Sequence, residues 1–481
     1  MSRAPIDSTA SAALLALAAL VALGGCASLL PPAGQTAPPT LELPASTLAS
    51  VPVATDWWTT FNDPALNALV AEALQNNRDL ARAVARIDES RALLALSRSE
   101  SQPSLTATVS GSRQRITETG SPLQGGSPTS STYRARINAD YEIDLWSRLA
   151  KASAAARAEL LAATTTRDGL YGAIAAQVVQ AYASLQAQDA QRQLFGSAVE
   201  VQRESLGLQR LRLNAGDIGE LDLRQLEGEL ATNEAQLPRL DRARGESERA
   251  LAVLLGRSPR ALIEQAVARA PQPVAPPTVL AVPAGLPSDL LQHRPDVRAA
   301  EARLAAAGAR VDVARAAYFP RIALSASLGQ ESSDLSRLFD GPSLIWNLLA
   351  SATQPIWGGG RLRAQSDAER ARERIAELDY RDSVANAFSD ARNALGARSE
   401  TAESLRLAEQ RASALTRAAE LTRLRHNGGE SSRLQLIEAE RAALSAQAQV
   451  ADARRAVIAA QADLYRALGG GWSTALLAER R

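Results

Sequence analysis

The chain has 481 residues and a formal net charge of +1, with 46% hydrophobic and 22% charged residues. This length is enough for two or three ordinary domains, and the hydrophobic fraction is typical of a folded protein rather than a disordered one. Because positive and negative charges nearly cancel, the charge does not favour a nucleic acid or another polyanion as a partner.

Few residues are available for metal, redox or covalent chemistry. Cys26 is the only cysteine, which excludes an internal disulfide and a multi-cysteine metal site. The two histidines, His293 and His426, are far apart, and neither has a cysteine or another histidine nearby. The sequence also lacks a nucleophile elbow and a phosphate-binding loop. We therefore expect no metal site, no catalytic site and no cofactor other than a covalent lipid, and we expect that the protein is not an enzyme.

The first 26 residues resemble the signal segment of a bacterial lipoprotein. An apolar run at 12–23, too short to span a bilayer as a stable helix, leads into Leu23-Gly24-Gly25-Cys26. This lipobox pattern predicts a signal peptide at 1–25 and a covalent lipid on Cys26, as N-palmitoyl and S-diacylglycerol groups. Ala27 follows instead of aspartate, which by the usual bacterial sorting pattern indicates the outer membrane. An ordinary secretory peptide followed by an incidental buried cysteine is the alternative.

The chain contains an internal duplication. The segments "LRLNAGDIGELDL" at 211–223 and "LRHNGGESSRLQL" at 424–436 align at an offset of 213 residues. Upstream the offset is 217, as for Pro103 against Pro320. The four-residue change must fall between Pro103 and the long helix that begins near Ser147, and loops absorb such changes most easily.

The duplication predicts the domain organisation. Repeat 1 occupies 64–270 and repeat 2 occupies 287–470, and a Pro-rich linker at 271–286 joins them. A lipidated N-terminal extension at 26–63 precedes the repeats, and a tail at 471–481 follows them.

Each repeat is predicted to open with a helix and to continue as a β-hairpin. The first helix begins at Pro64, where the missing N–H costs nothing, and it stops before Pro103. The apolar period then changes to two, as in "TYRARINADYEID". The hairpins lie at about 103–143 and about 320–356, with the fourth strand inside Ser343–Pro355. The alternation fits a transmembrane barrel strand with a wet interior, and it fits equally a sheet half-buried in a soluble domain.

Two unusually long helices are predicted after the hairpins, Ser147–Leu213 and Arg361–His426. About 67 residues at 1.5 Å each give a length of roughly 100 Å, which is typical of coiled coils, stalks or tunnels. The chain then reverses at tips placed at about 214–220 and 427–433, and a second helix returns. Pro238 lies inside the first return helix and should kink it.

The strand number bears on the assembly. Four strands cannot close a barrel, open strand edges are not viable in lipid, and bacterial outer-membrane barrels start at eight strands. If the strands cross a membrane, several chains must share one barrel. Three chains would supply twelve strands, and the duplication would then give the ring a pseudo-sixfold symmetry.

Four segments carry a resemblance to a known family: "WWTTFNDPALNALV", "YEIDLWSR", "GLPSDLLQHRPDVRAAEARL" and "AAYFPRIALSASLG". They resemble the outer membrane factor family of TolC-like channels, specifically its lipoprotein branch of NodT- and OprM-type proteins, and the match runs from about Asp56 to Gly469. The resemblance implies a mainly α-helical fold and a homotrimer with a twelve-stranded β-barrel in the outer membrane of a Gram-negative bacterium. It also implies a long periplasmic α-helical barrel that takes small molecules from an inner-membrane pump, of the RND type, through a periplasmic membrane-fusion adaptor.

The resemblance also implies functional positions. The adaptor is expected to dock at the tips, through Asn214, Gly216, Asp217, Asn427, Gly429 and Glu430. The asparagines and glycines have a structural interpretation as well, because both residue types tolerate positive φ where a helix ends. The tunnel is expected to narrow at Gln435 and Glu438, although Gln435 replaces an aspartate common in well-known members. For Glu438 an ordinary solvated helix carboxylate is the alternative.

Three other classes of protein fit the sequence less well. A periplasmic adaptor lipoprotein should have one helical hairpin and lipoyl-like β-modules, whereas this sequence has two hairpins. A coiled-coil structural lipoprotein needs long heptad repeats, and it would not contain the alternation of apolar and polar residues at 133–143. An enzyme would need one of the motifs that the sequence lacks.

Overall fold

The computed structural model describes residues 33–34, 56–115, 129–270 and 294–470. The predicted signal peptide, Cys26, the linker at 271–286 and the tail at 471–481 lie outside the described residues. Their predicted roles therefore stay predictions.

The chain divides into two compact units. Of the described residues, one unit contains 33–34, 87–115, 129–162 and 300–380, and the other contains 56–86, 163–270, 294–299 and 381–470. Each unit therefore takes segments from both sequence repeats. The compact units differ from the repeats because each long helix contributes residues to both units.

Nine α-helices lie in the described parts of the chain. In chain order they are α1 (Pro64–Asn76), α2 (Arg78–Ser99), α3 (Arg148–Asn214), α4 (Glu220–Glu234), α5 (Gln236–Leu254), α6 (Ala261–Glu264), α7 (Pro295–Ala316), α8 (Arg361–Asn427) and α9 (Arg433–Ala467). A 3₁₀ helix at Trp57–Phe61 precedes α1. None of the described helices is both long and apolar enough to cross a bilayer.

The prediction of a single opening helix in repeat 1 is wrong, because the chain leaves the helical conformation at Asn77. The Asn77 side-chain oxygen accepts hydrogen bonds from the backbone N–H groups of Asp79, at 2.8 Å, and Leu80, at 3.3 Å. Its amide group donates to the carbonyl oxygen of Leu254 at 2.8 Å. Asn77 thus ends α1, caps α2 and ties both to the end of α5.

The two predicted hairpins form one antiparallel sheet in the order β1-β2-β3-β4. Its strands are β1 (Ser104–Arg115), β2 (Thr129–Ile143), β3 (Arg321–Ser332) and β4 (Leu344–Thr353). Strand β2 pairs with β3, so the join between the two repeats lies in the middle of the sheet. Strands β1 and β4 are the edges, and within the described residues their outer sides have no partner.

The sheet has one apolar face that is open to the surroundings. Side chains that alternate along the strands and pair across them share this face, and the large apolar ones are exposed: Leu105, Val109, Ile137, Tyr141, Leu328, Leu344, Trp346 and Leu348. Exposed apolar side chains over a whole sheet face are unusual for a soluble protein. The face must therefore be covered by something other than this chain.

The strand register locates the four-residue difference between the repeats. Ser104 pairs with Asp140, and Arg321 pairs with Thr353. Strands β1 and β3 therefore align at an offset of 217, whereas β2 and β4 align at 213. The four-residue change therefore falls between the two strands of the hairpins.

The two long helices are confirmed, because α3 and α8 are each continuous over 67 residues. The kink predicted at Pro238 lies close to a one-residue interruption of the first return helix at Ala235. Helix α4 ends at Glu234 and α5 begins at Gln236, two residues before Pro238, since a proline cannot supply the N–H that a helix interior needs. The second return helix, α9, runs without interruption.

The core of the second unit is built around the 3₁₀ helix before α1. Trp57 is fully buried, and its ring stacks on Tyr465 of α9 with centroids 4.8 Å apart. Next to it, the Tyr182 hydroxyl donates to Asp63, the N-cap of α1, at 2.7 Å and accepts from the Ala270 N–H at 3.0 Å. Burial raises the pKa of Tyr182 to about 12, so the phenol stays neutral.

Candidate functional site at the hairpin tips

The first tip is closed by a glycine in a left-handed conformation. Helix α3 ends at Asn214, and Gly216 has a φ of +82°. The Asp217 N–H donates to the carbonyl of Arg212 at 2.9 Å, and the Gly216 N–H donates to that of Leu213 at 3.0 Å. This pair of bonds is a Schellman motif, which satisfies carbonyl groups that the helix end leaves free.

The second tip repeats this geometry. Gly429 has a φ of +80°, the Glu430 N–H donates to the Arg425 carbonyl at 2.8 Å, and the Gly429 N–H donates to that of His426 at 3.0 Å. The two tips are thus built from the same backbone bonds, as expected for a duplicated unit.

The two asparagines end the long helices, as their structural interpretation expects, but neither takes a positive φ. Asn214 and Asn427 are the last residues of α3 and α8, and the positive φ at each tip belongs to the glycine two residues later. Glycine takes this position because it has no Cβ to clash in the left-handed region. The six predicted docking positions share one property, which is exposure at the surface: Asn214, Gly216, Asp217, Asn427, Gly429 and Glu430.

The chain re-enters the helix differently at the two tips. Helix α9 starts with a capping box, in which the Gln435 N–H donates to Ser432 Oγ at 3.3 Å and the Ser432 N–H donates to Gln435 Oε1 at 3.0 Å. At the matching position, α4 has Gly219 as its N-cap, with no side-chain hydrogen bond. The amide of Gln435 therefore stabilises the helix start. The Ser-x-x-Gln spacing before an apolar run was the signal for this role.

A duplicated ion pair joins the outgoing and returning helices near each tip. Arg210 and Glu227 are 3.1 Å apart in repeat 1, and their counterparts Arg423 and Glu440 are 2.9 Å apart in repeat 2. Hydrogen bonds from Arg210 and Arg224 lower the pKa of Glu227. Exposed pairs of this kind add little stability, but their recurrence shows that both hairpins pair their helices in the same register.

The two hairpins are also joined to each other by polar contacts that sequence reasoning missed. Arg441 of α9 bonds to Glu229 of α4, whose side chain is only 3% exposed. This hydrogen bond raises the pKa of Arg441. Nearby, Arg433 donates to Ser205 Oγ at 3.0 Å. Glu229 is spaced like a solvated helix carboxylate, so the sequence held no signal for its burial.

Glu438, the second gate candidate, is an exposed carboxylate that interacts electrostatically with Arg441. It is exposed, one turn after Gln435, and no described cation lies within 4 Å of it. The two hairpins carry their acidic residue at different positions of the return helix. Gln435 of repeat 2 corresponds to Asp222 of repeat 1, and Glu438 of repeat 2 corresponds to Gln225 of repeat 1.

Another residue that the sequence reasoning left without a role is Arg294, in the segment "LQHRPDV". Its guanidinium is buried and donates to the Ala467 carbonyl at 2.9 Å. It also bonds to Asp296 at 2.7 Å and to Asp390 of α8 at 3.1 Å. Arg294 therefore holds the start of α7 against α8 and the end of α9.

Comparisons with known proteins identify the family. The family model described as "Outer membrane efflux protein" matches residues 69–257 and 286–470. The solvent efflux pump outer membrane protein SrpC of Pseudomonas putida is 33% identical over 474 residues, which cover 96% of this chain and 98% of SrpC. Among solved structures, the outer-membrane channel OprN has a TM-score of 0.81 at 30% identity, covering 91% of this chain and 100% of OprN. The CmeC outer membrane channel of Campylobacter jejuni shares the fold, with a TM-score of 0.86 at 24% identity over 92% and 98% of the two chains.

The chain belongs to the outer membrane efflux protein family. Its fold is that of the trimeric channels, in which strands and long helices contribute to a β-barrel and a helical barrel. It is a channel rather than an enzyme, and it works in the outer membrane of a Gram-negative bacterium with a large periplasmic portion. The membrane interpretation of the alternating strands is therefore confirmed, and the adaptor, coiled-coil and enzyme alternatives are set aside.

Proposed function

We propose that this channel is the exit duct for small molecules delivered by an inner-membrane pump of the RND type, and that a periplasmic membrane-fusion adaptor docks at its hairpin tips. The observation that carries the proposal is the matched geometry of the tips. Both have the same glycine-centred cap and the same helix-to-helix ion pair, and both expose the same positions. A homotrimer of duplicated chains presents six such tips, which suits a partner that binds a ring of equivalent sites.

The docking proposal is tested with glycine variants that differ in backbone conformation. Gly429→Ala places a side chain at a φ of +80°, at a cost of about 1–2 kcal/mol in the left-handed region, and should distort the exposed tip. Gly428→Ala is the matched control, because its Cβ would meet only ordinary contacts at 3.5 Å and its φ lies outside that region. We expect the first variant to lower efflux in cells that lack the native gene, and the control to leave efflux unchanged.

Trimer content is measured for the same variants on native gels, so that a coupling defect is separated from an assembly defect. The pair Asp217→Arg and Glu430→Arg tests the tip surface itself, since both side chains are exposed and neither forms part of a core. Normal efflux in the Gly429 variant and in the charge-reversed variant would show that the tips are not the docking site.

We further propose that Glu438 of the three chains lines a narrow part of the tunnel and favours cations there. Its exposure and lack of an ion pair among the described residues support a role in which the carboxylate faces water. The capping role of Gln435 leaves Glu438 as the better gate candidate of the two.

For the N-terminus we propose that Cys26, acylated as N-palmitoyl and S-diacylglycerol cysteine, anchors the chain in outer membrane lipid. The support is the lipobox in the sequence, because Cys26 lies outside the described residues. Metabolic labelling with a palmitate analogue should mark the native chain and spare Cys26→Ser. Label retained by that variant would show that the lipid is attached at another residue.

A further inference from the structure

Two arginines end the apolar face of strand β1. Arg113 and Arg115 have the same parity as Leu105 and Val109, so all four side chains lie on the exposed apolar face of the sheet. Both arginines are exposed and stand in the last three residues of the strand. They therefore close the lipid-facing surface of the strand at one end.

That end is the outer one. Helices α2 and α7 lead into β1 and β3, and α3 and α8 follow β2 and β4, so all four helices join the same end of the sheet. The resemblance to TolC-like channels implies that the helical portion is periplasmic. Arg113 and Arg115 lie at the opposite end of β1, and so face the outer leaflet.

Their height matches the border of the membrane. Ten residues separate Leu105 from Arg115, which is about 33 Å along a strand and about 25 Å along the membrane normal at a tilt of about 40°. The apolar band of such barrels is also about 25 Å tall. Tyr133 marks the same border: it pairs with Gly111, and a Cβ on that glycine would lie 3.2 Å from its ring. Tyrosines collect at membrane–water interfaces.

The charges of Arg113 and Arg115 are not neutralised by acidic side chains in the way that the arginines on the polar face of the sheet are. On the polar face of the sheet, Glu331 forms ion pairs with Arg134 and Arg136. In the parts of the chain that the structure describes, neither Arg113 nor Arg115 has a carboxylate within 4 Å. Opposite them, β2 presents only Ser131 and Thr129.

The duplicated strand shows that the fold does not require these charges. At the offset of 217 that aligns β1 with β3, Arg113 corresponds to Gln330 and Arg115 to Ser332. One repeat thus has a basic pair at the outer border and the other has neutral residues. A trimer carries three such pairs, separated by neutral strands.

We propose that Arg113 and Arg115 bind the phosphate groups of the lipopolysaccharide that forms the outer leaflet around the barrel. Guanidinium groups bind phosphate through paired, charge-assisted hydrogen bonds, and their long stems can lie along apolar surface while the charged ends reach the headgroups. The site concerns the lipid face of the barrel, so it goes beyond the proposed function and is independent of adaptor docking.

The test uses the residues of the other repeat. The double variant Arg113→Gln with Arg115→Ser is compared with the native trimer for binding of diphosphoryl lipid A, measured by native mass spectrometry in detergent. At about fivefold per arginine near an anionic surface, the double variant should bind about 25-fold more weakly. Native gels check that its trimer is intact.

A second variant separates position from net charge. It carries the same two substitutions together with Ser112→Arg and Gln114→Arg, which place two arginines on the polar face of the same strand. We expect this variant to bind lipid A as weakly as the double variant. Restored binding would show that net charge alone attracts the lipid, and would overturn the site.

A comparison of several lipids tests whether the ligand of the site is the phosphorylated lipid A. Native protein should bind dephosphorylated lipid A as weakly as the double variant binds the phosphorylated form. Phosphatidylglycerol and inorganic phosphate, added in excess, should fail to displace diphosphoryl lipid A. Equal binding of the native trimer and the double variant, equal binding of dephosphorylated lipid A, or displacement by either competitor would each overturn the proposal.

Discussion

At the scale of single residues, the gate proposal depends on one carboxylate. Glu438→Gln removes the charge while it keeps the side-chain size, and we expect reconstituted channels to lose part of their preference for cations over anions. The measurement is the reversal potential across a planar bilayer with a salt gradient. Gln225→Glu is the reciprocal variant, because position 225 corresponds to 438 in the other hairpin. It should increase cation preference if both return helices line the tunnel, and an unchanged reversal potential in Glu438→Gln would dismiss the gate.

Residue roles were predictable only where the signal is local. The glycine caps follow from a helical pattern that stops at Gly216 and Gly429, and the capping box was present as a four-residue motif although it was not recognised. The burial of Glu229 and Arg294 could not be predicted from the sequence, because their partners lie on other helices far along the chain. A charged residue on a helix surface has the same spacing whether it faces water or a second helix.

At the scale of elements, periodicity sufficed for the long helices and the hairpins. The apolar period of two predicted β1, β2 and β3, a less regular pattern within 343–355 predicted β4, and the absence of proline predicted α3 and α8 nearly to the residue. The break between α1 and α2 was not predicted from the sequence. The Asn77 side chain at this break donates a hydrogen bond to Leu254, which is 177 positions away in the chain. Helix breaks made by proline are visible in a sequence, whereas those made by a tertiary contact of a polar side chain are not.

At the scale of the whole molecule, the strand pairing between the two repeats predicts the strand pairing between neighbouring chains. Strand β2 pairs with β3 inside one chain, and β4 has to pair with β1 of the next chain to close a twelve-stranded barrel. Within a chain, Ala139 pairs with Ala326. A residue of β2 corresponds to the residue of β4 that is 213 positions later, and a residue of β3 corresponds to the residue of β1 that is 217 positions earlier. The equivalent pair at the boundary between chains is therefore Ala352 opposite Val109 of the partner subunit.

A cysteine cross-link tests this register. Opposed residues in an antiparallel pair have Cβ atoms about 4.5–5.5 Å apart, close enough for a disulfide after small adjustments. We expect Ala352→Cys with Val109→Cys to give covalent dimers and trimers on a non-reducing gel under mild oxidation. Since Cys26 is the only native cysteine and its sulfur carries the diacylglycerol group in the proposed lipoprotein, it should not interfere.

The control for the register is a shift by two residues, because a shift by one would turn the apolar face of β1 towards the lumen. Ala352→Cys with Ala107→Cys keeps both side chains on the apolar face but moves them out of opposition by a full strand period. This pair should cross-link much less than the Val109 pair. If the Ala107 pair formed the stronger link, the pseudo-sixfold symmetry would be broken at the chain boundary, and the register inside one chain would not carry over to the trimer.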